Sequence, residues 1–205
     1  MAARLKAPER KASILAVAKV LFADKGYHGV SVDEIAKRLG VSPAVLYQHF
    51  SSKEALYEAA LNSISEIRES YVSVILEEPS DFGSVLTRMT EVFVESVSND
   101  PDYLRMELMS ALEGAAVANQ FFENRWRSFT DYIEYSVKEL SKEGKVGAID
   151  PQMASLMFQG MLREALYTKC ILVENRYKDI PLNKLVKQLL ETFLNSIEYK
   201  SSDNS

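Results

Sequence analysis

The sequence predicts an all-α fold: an N-terminal three-helix segment carrying a helix-turn-helix, followed by a C-terminal helical bundle. Three observations predict it. Glycine and proline are few, eight and six in 205 residues, and long stretches lack both; Leu, Ala, Glu and Lys, all good helix formers, fill much of the chain. Apolar residues recur at three- and four-residue spacing. Polar caps and prolines precede these periodic runs, and glycines or prolines end them.

The elements follow in order. Pro8 stands where a first helical turn tolerates a missing N–H, and Ile14, Val17, Ala18, Leu21 and Phe22 then give the first helix one apolar face. Gly26 is its left-handed stop, and Tyr27-His28-Gly29 makes the connection. Ser31-Val32-Asp33-Glu34 reads as a capping box opening a second helix, which buries Ile35, Ala36 and Leu39 and stops at Gly40. After Val41, Ser42 is placed to cap a third helix, with Pro43 at its first position, running to about Phe50. Ser51 and Glu54 read as a second capping box, opening a long fourth helix.

Two short helices joined by Gly40-Val41-Ser42 form a helix-turn-helix. The spacing has a steric reason. Ala36 faces the next helix, where a larger side chain pushes the pair apart; Gly40 supplies the positive φ of the turn; Leu46 locks the second helix onto the first. Charge agrees. Residues 1–53 carry nine Lys or Arg against four acids, a net +5, which leaves −10 on the remainder. A basic head on an acidic body points to a polyanion as the head's partner.

The stretch Gly26-Tyr27-His28-Gly29-Val30-Ser31-Val32-Asp33-Glu34-Ile35-Ala36, then Gly40-Val41-Ser42, then Leu46-Tyr47-Gln48-His49-Phe50-Ser51-Ser52-Lys53-Glu54-Ala55-Leu56-Tyr57, resembles the tetracycline-repressor (TetR) family. The resemblance is dense over about the first fifth of the chain; beyond it only the number and length of helices agree. It implies a cytoplasmic transcription regulator, a repressor, acting as a homodimer. The third helix of each copy enters the major groove of a palindromic double-stranded operator, and the body binds a small molecule that releases the DNA. By the same resemblance, Ser31, Ser42, Tyr47, His49 and Lys53 fall where family members touch phosphates, and Pro43, Ala44 and Gln48 where they face bases. Pro43 departs from the many relatives that carry Lys, Arg or a polar group there. A proline offers no side-chain donor, so Pro43 and Ala44 are left to pack against a thymine methyl. The chemistry agrees elsewhere: Ser42 and Lys53 stand at helix starts, where free N–H groups attract phosphate, and Gln48 matches adenine N6 and N7. Ser51 reads as a cap alone.

For the body, periodicity predicts helices at about 53–77, 81–99, 101–112, 119–143, 151–176 and 181–199. Glu78-Pro79-Ser80, Asn99-Asp100-Pro101, Gly144-Lys145-Val146-Gly147 and Asp179-Ile180-Pro181 punctuate them. The expected division is a DNA-binding domain at 1–53, a ligand-binding and dimerisation domain at 54–200, and a disordered tail at 201–205. The last helix carries an apolar stripe of Leu182, Leu185, Val186, Leu189, Leu190, Phe193, Leu194 and Ile197; half of it can be met within one chain. The preceding helix adds Met153, Leu156, Met157, Gly160, Met161 and Leu172. Two such helices from each of two chains make a four-helix interface, for which Met153, Gly160, Leu182, Leu185, Leu189, Phe193 and Ile197 are the candidates. Met89, Phe93, Met106, Met109, Phe122, Trp126, Phe129, Met157 and Met161 are candidates to line a mostly apolar effector pocket, because Met adapts to varied ligands; each taken alone reads more simply as core.

Other classes fit poorly. The two histidines, His28 and His49, both lie in the head, and Cys170 is alone. There is no phosphate-cradling Gly-rich loop, His-x-x-x-His pair or Gly-x-Ser-x-Gly elbow, so neither enzyme chemistry nor a metal or cofactor is expected. Neither a signal peptide nor an apolar run of about 18 residues is apparent, so no membrane partner is expected. The serious rival is an effector-free DNA-binding protein that organises the chromosome or controls division.

Overall fold

In the computed structural model the chain is described over residues 6–65, 81–114, 116–172 and 174–201. The expectations for 66–77, for Glu78-Pro79-Ser80 and for the last four residues lie outside these. Among the described residues every regular element is helical. The helices are α1 (Ala7–Lys25), α2 (Val32–Leu39), α3 (Pro43–Tyr47), α4 (Lys53–Ser65), α5 (Phe82–Asn99), α6 (Asp102–Glu113), α7 (Ala116–Lys142), α8 (Pro151–Leu166) and α9 (Leu182–Ser196).

Two compact units emerge: residues 1–67 with 102–122, and residues 68–101 with 123–205. This grouping does not follow a break at Lys53. Burial explains it, because α1 packs on α2, α4 and α6 alike, and Ile14, Ala18 and Phe22 are fully enclosed there with Leu56, Ala60, Tyr103 and Met106. A three-helix head of some fifty residues buries little surface by itself; α4 and α6 complete its core.

Local chemistry sets the ends of the head's helices. The backbone N–H of Lys6 donates to the Glu9 carboxylate at 2.9 Å, starting α1. Gly26 ends it at φ 72° and donates its N–H to the Phe22 carbonyl. Ser31 caps α2 by accepting from the Glu34 N–H at 3.1 Å. The reciprocal half of that box is replaced, since the Glu34 carboxylate pairs with Lys25 Nζ. Gly40 then adopts φ 67°, ψ 33°, and Val41 donates back to the Ala36 carbonyl. Ala36 and Leu46 are both about 1% exposed, as the steric reading of the turn requires.

In the second unit, α9 packs on α8 and α5. A run of aromatic rings threads its core: Phe93 meets Trp126 and Phe129 at centroid distances of 5.0 and 5.4 Å, Phe129 meets Phe158 at 5.6 Å, and Phe158 meets Phe193 at 5.1 Å. Asp81 caps α5 by accepting the Gly83 and Ser84 N–H groups, and Asp150 caps α8 through the Met153 N–H. The helix predicted at 151–176 ends earlier. After Leu166 it widens into a π-helical turn, Tyr167–Ile171. The Asn175 amide then donates to the Thr168 carbonyl at 2.7 Å and to that of Leu172, taking over carbonyls that would have continued the ladder.

Candidate nucleic-acid interface

The third helix is a short rod held from beneath. Leu46 and, just past its end, Phe50 are buried, whereas Ser42, Ala44, Tyr47 and Gln48 are exposed. Tyr47 keeps 55% of its surface in solvent. Leu46, about 1% exposed, anchors the helix, and the opposite face is left for contact. Pro43 and His49 are half-buried. The helix closes at Tyr47 rather than near Phe50, and the His49 and Phe50 N–H groups both turn back to the Leu46 carbonyl.

Two capping expectations are corrected. Ser42 occupies the N-cap position of α3 in extended conformation, but its side chain makes no capping hydrogen bond. The Val45 N–H donates to the Ser42 carbonyl at 3.0 Å. The cap of α4 is Ser52, not Ser51: the Ala55 N–H donates to Ser52 Oγ at 3.1 Å. Starting the helix at Lys53 puts Ser51 one residue too early, and it is exposed.

Lys53 is half-buried, with its ammonium 4.3 Å from the centre of the Tyr27 ring. The Tyr27 hydroxyl donates to the Glu54 carboxylate at 2.6 Å. That bond holds Glu54 at about 2, well under the usual carboxylate range; burial first, then the hydrogen bond to Glu54 and the Glu54 charge, push Tyr27 up to about 12. Both groups therefore keep these forms at neutral pH. Tyr27 also contacts Tyr57, 5.1 Å away, which itself meets Phe22 edge-on at 4.8 Å. Lys11 Nζ lies 5.7 Å from the centre of the Phe50 ring. Lys37 and Arg38 in the last turn of α2 are exposed.

The sequence motif contains Tyr27 but gave it only a connecting role. Its second anchor lies 86 residues away: the Glu113 carboxylate, at the end of α6, accepts from the Tyr27 N–H at 2.8 Å and from the His28 N–H at 3.1 Å. No local spacing signals this.

The effector candidates fall in both units. Met106, Met109 and Phe122 belong to the first unit, while Met89, Phe93, Trp126, Phe129, Met157 and Met161 belong to the second. Phe93, Trp126 and Phe129 are buried against one another as core, and Arg163 covers the indole with its guanidinium 5.0 Å from the ring. Met157 is exposed instead. Within the second unit a groove of about 790 Å³ runs between α5 and α9, with Val94, Val186 and Leu190 as floor and Glu91, Glu95, Lys187 and Glu191 on its rim. A second, of about 440 Å³, lies between α8 and α9 and includes Met161, Leu185 and Leu189.

The dimer candidates also divide. Met153 and Gly160 are exposed, together with Leu156 and Met157 on the same face of α8, and Leu182 and Leu185 are half-buried. Phe193 and Ile197 are enclosed within the second unit, and Leu189 is only 8% exposed. Phe193 packs on Phe158 of its own chain, so Phe193 and Ile197 are corrected from interface to core.

Residues 14–60, which span α1 to most of α4, match the model of the bacterial regulatory proteins of the tetR family. Over these residues the chain is similar to the tetR family. The match reaches the α1–α4 geometry above, including Gly40, Leu46, Tyr47 and Lys53. The transcriptional activator FasR of Mycolicibacterium smegmatis is 40% identical over 103 residues. That match covers 50% of this chain and 47% of FasR, so about half of each. The nucleoid occlusion factor SlmA of Aliivibrio fischeri is 27% identical over 180 residues, 85% of this chain and 89% of SlmA. The crystal structure of AibR in complex with isovaleryl coenzyme A and operator DNA shares the fold with a TM-score of 0.69 at 21% identity, covering 94% of this chain and 100% of AibR.

Proposed function

We propose that this TetR-family regulator binds an inverted-repeat operator as a homodimer and is controlled by a small amphipathic effector held in its second unit. The observation that carries the DNA reading is the division of α3: Leu46 and Phe50 are buried beneath it, and Ser42, Ala44, Tyr47 and Gln48 stand in solvent. An exposed Gln48 suits bidentate contact with adenine, and Pro43 with Ala44 suits a thymine methyl. Ser31 caps α2 only as an acceptor, so its hydroxyl proton remains for a phosphate oxygen; Ser42, Tyr47, His49 and Lys53 complete the phosphate set.

For the dimer, the exposed Met153, Leu156, Met157 and Gly160 make an apolar face on α8 that suits a two-fold contact, and Leu182 and Leu185 on α9 are half-buried. For the effector, AibR binds an acyl thioester as well as operator DNA, and the α5–α9 groove offers an apolar floor with a charged rim of suitable size. Selection of bound duplexes from a random pool tests the reading: it predicts enrichment of an inverted repeat bound by two copies. A single unrepeated half-site bound by one copy contradicts it.

A second reading has its own support, since SlmA matches 85% of this chain. It makes the protein an effector-free factor acting at many dispersed chromosomal sites. Mapping its genomic sites separates the two, few operators beside promoters against many scattered ones.

A further inference from the structure

We propose that Glu113 is a positioning residue for DNA binding: its carboxylate fixes the α1–α2 turn so that the Tyr27 ring carries Lys53 in the place where it meets phosphate. The proposal rests on the reading of Lys53 as a phosphate contact. Its geometry is a short chain of contacts within the first unit. Glu113 accepts from two successive N–H groups, those of Tyr27 and His28, one on each carboxylate oxygen. Two parallel charge-assisted bonds fix the orientation of a turn as well as its position. The Tyr27 ring then lies under the Lys53 ammonium at 4.3 Å, a cation–π distance, and the Tyr27 hydroxyl ties down the neighbouring Glu54 at 2.6 Å. One residue is thereby held at its backbone by α6 and at its side chain by α4.

Gly26 fits the same purpose. Its φ of +72° suits glycine, and a Cβ there would run into the Glu113 carboxylate and the Met109 methyl. The close approach that a missing side chain permits is the approach the carboxylate uses. A flexible lysine loses rotamer entropy on meeting a phosphate, and a ring that already restrains it reduces that loss. Any displacement of the end of α6 therefore reaches a DNA-contacting cation through two contacts.

The test uses the full-length chain. Affinity for the selected operator is measured for the native protein, Glu113→Ala, Lys53→Ala and the double variant, and the ε-methylene resonance of Lys53 is followed by NMR. Expected are a loss of about tenfold for Glu113→Ala, little further loss when Lys53 is already alanine, and loss of the upfield ring-current shift that Tyr27 gives Lys53. Equal losses in both backgrounds, or an unchanged Lys53 shift, overturn the proposal while leaving the phosphate contact standing. An unaffected Lys53→Ala overturns the phosphate reading and the proposal with it. Should Glu113→Ala unfold, Glu113→Gln serves: with one acceptor oxygen it keeps one of the two bonds, and an intermediate loss confined to the native Lys53 background supports the proposal. Full native affinity and an unmoved Lys53 resonance in that variant overturn it.

Discussion

The Tyr199 hydroxyl donates to the Asp81 carboxylate at 2.9 Å, joining the residue that caps α5 to the segment beyond α9. The same carboxylate accepts the Gly83 and Ser84 N–H groups and the Ser84 hydroxyl. The Ser84 hydroxyl, with Tyr199 and the two N–H groups, lowers the Asp81 pKa against the opposing effect of burial. A carboxylate with a depressed folded pKa stabilises the fold at neutral pH. That contribution is complete above the unfolded value of about 4 and fades as pH falls through the folded one. Asp81→Ala is expected to cost about 1–2 kcal/mol at pH 7, and Tyr199→Phe about 1 kcal/mol. Urea unfolding at a series of pH values checks both: the Asp81→Ala deficit should shrink as pH drops below about 4. A deficit that grows on acidification contradicts the cap.

Gly40 and Gly26 separate two reasons for glycine. Both have positive φ, but a Cβ at Gly40 meets nothing within 4 Å, whereas at Gly26 it meets Glu113 and Met109. Gly40→Ala is expected to cost only the conformational term, about 1–2 kcal/mol. Gly26→Ala should cost more, and should weaken DNA binding beyond what its stability loss explains. Thermal melts paired with operator titrations decide this, and equal costs at the two positions contradict the assigned roles.

The corrected place of Phe193 gives a third prediction. Phe193→Ala should destabilise the second unit by about 3–5 kcal/mol, the usual cost of emptying a buried aromatic site, independently of protein concentration. Leu156→Glu with Met157→Glu lies on the exposed face of α8 and should leave the fold intact while shifting light-scattering mass from dimer to monomer. A double variant that stays dimeric removes α8 from the interface.

How far these roles were legible in the sequence depended on the range of the forces that set them. Ser31, Gly40, Pro43 and Leu46 act within one or two turns of chain, and local spacing revealed them. The cap of α4 slipped by one residue because Ser51 and Ser52 are adjacent and chemically alike. Phe193 and Ile197 belong to a stripe whose periodicity says that they are apolar and not which surface covers them. For Phe93, Trp126 and Phe129 likewise, periodicity did not show that their rings pack on one another. Glu113 reaches a turn 86 residues earlier, and only folding brings the two together.

The most direct measurement is the effect of Gln48→Ala and Lys53→Ala on binding across a library of operator variants at several salt concentrations. Gln48 is exposed on α3 and is proposed to read a base; Lys53, at the start of α4, has its ammonium over the Tyr27 ring and is proposed to meet a phosphate. Gln48→Ala should flatten preference at one base pair in each half-site, at a cost of about 1–3 kcal/mol there, and leave the salt slope unchanged. Lys53→Ala should weaken every sequence alike and lower the slope by about one unit per site. Identical profiles for the two variants, or native binding by both, would contradict the placement of α3 in the major groove.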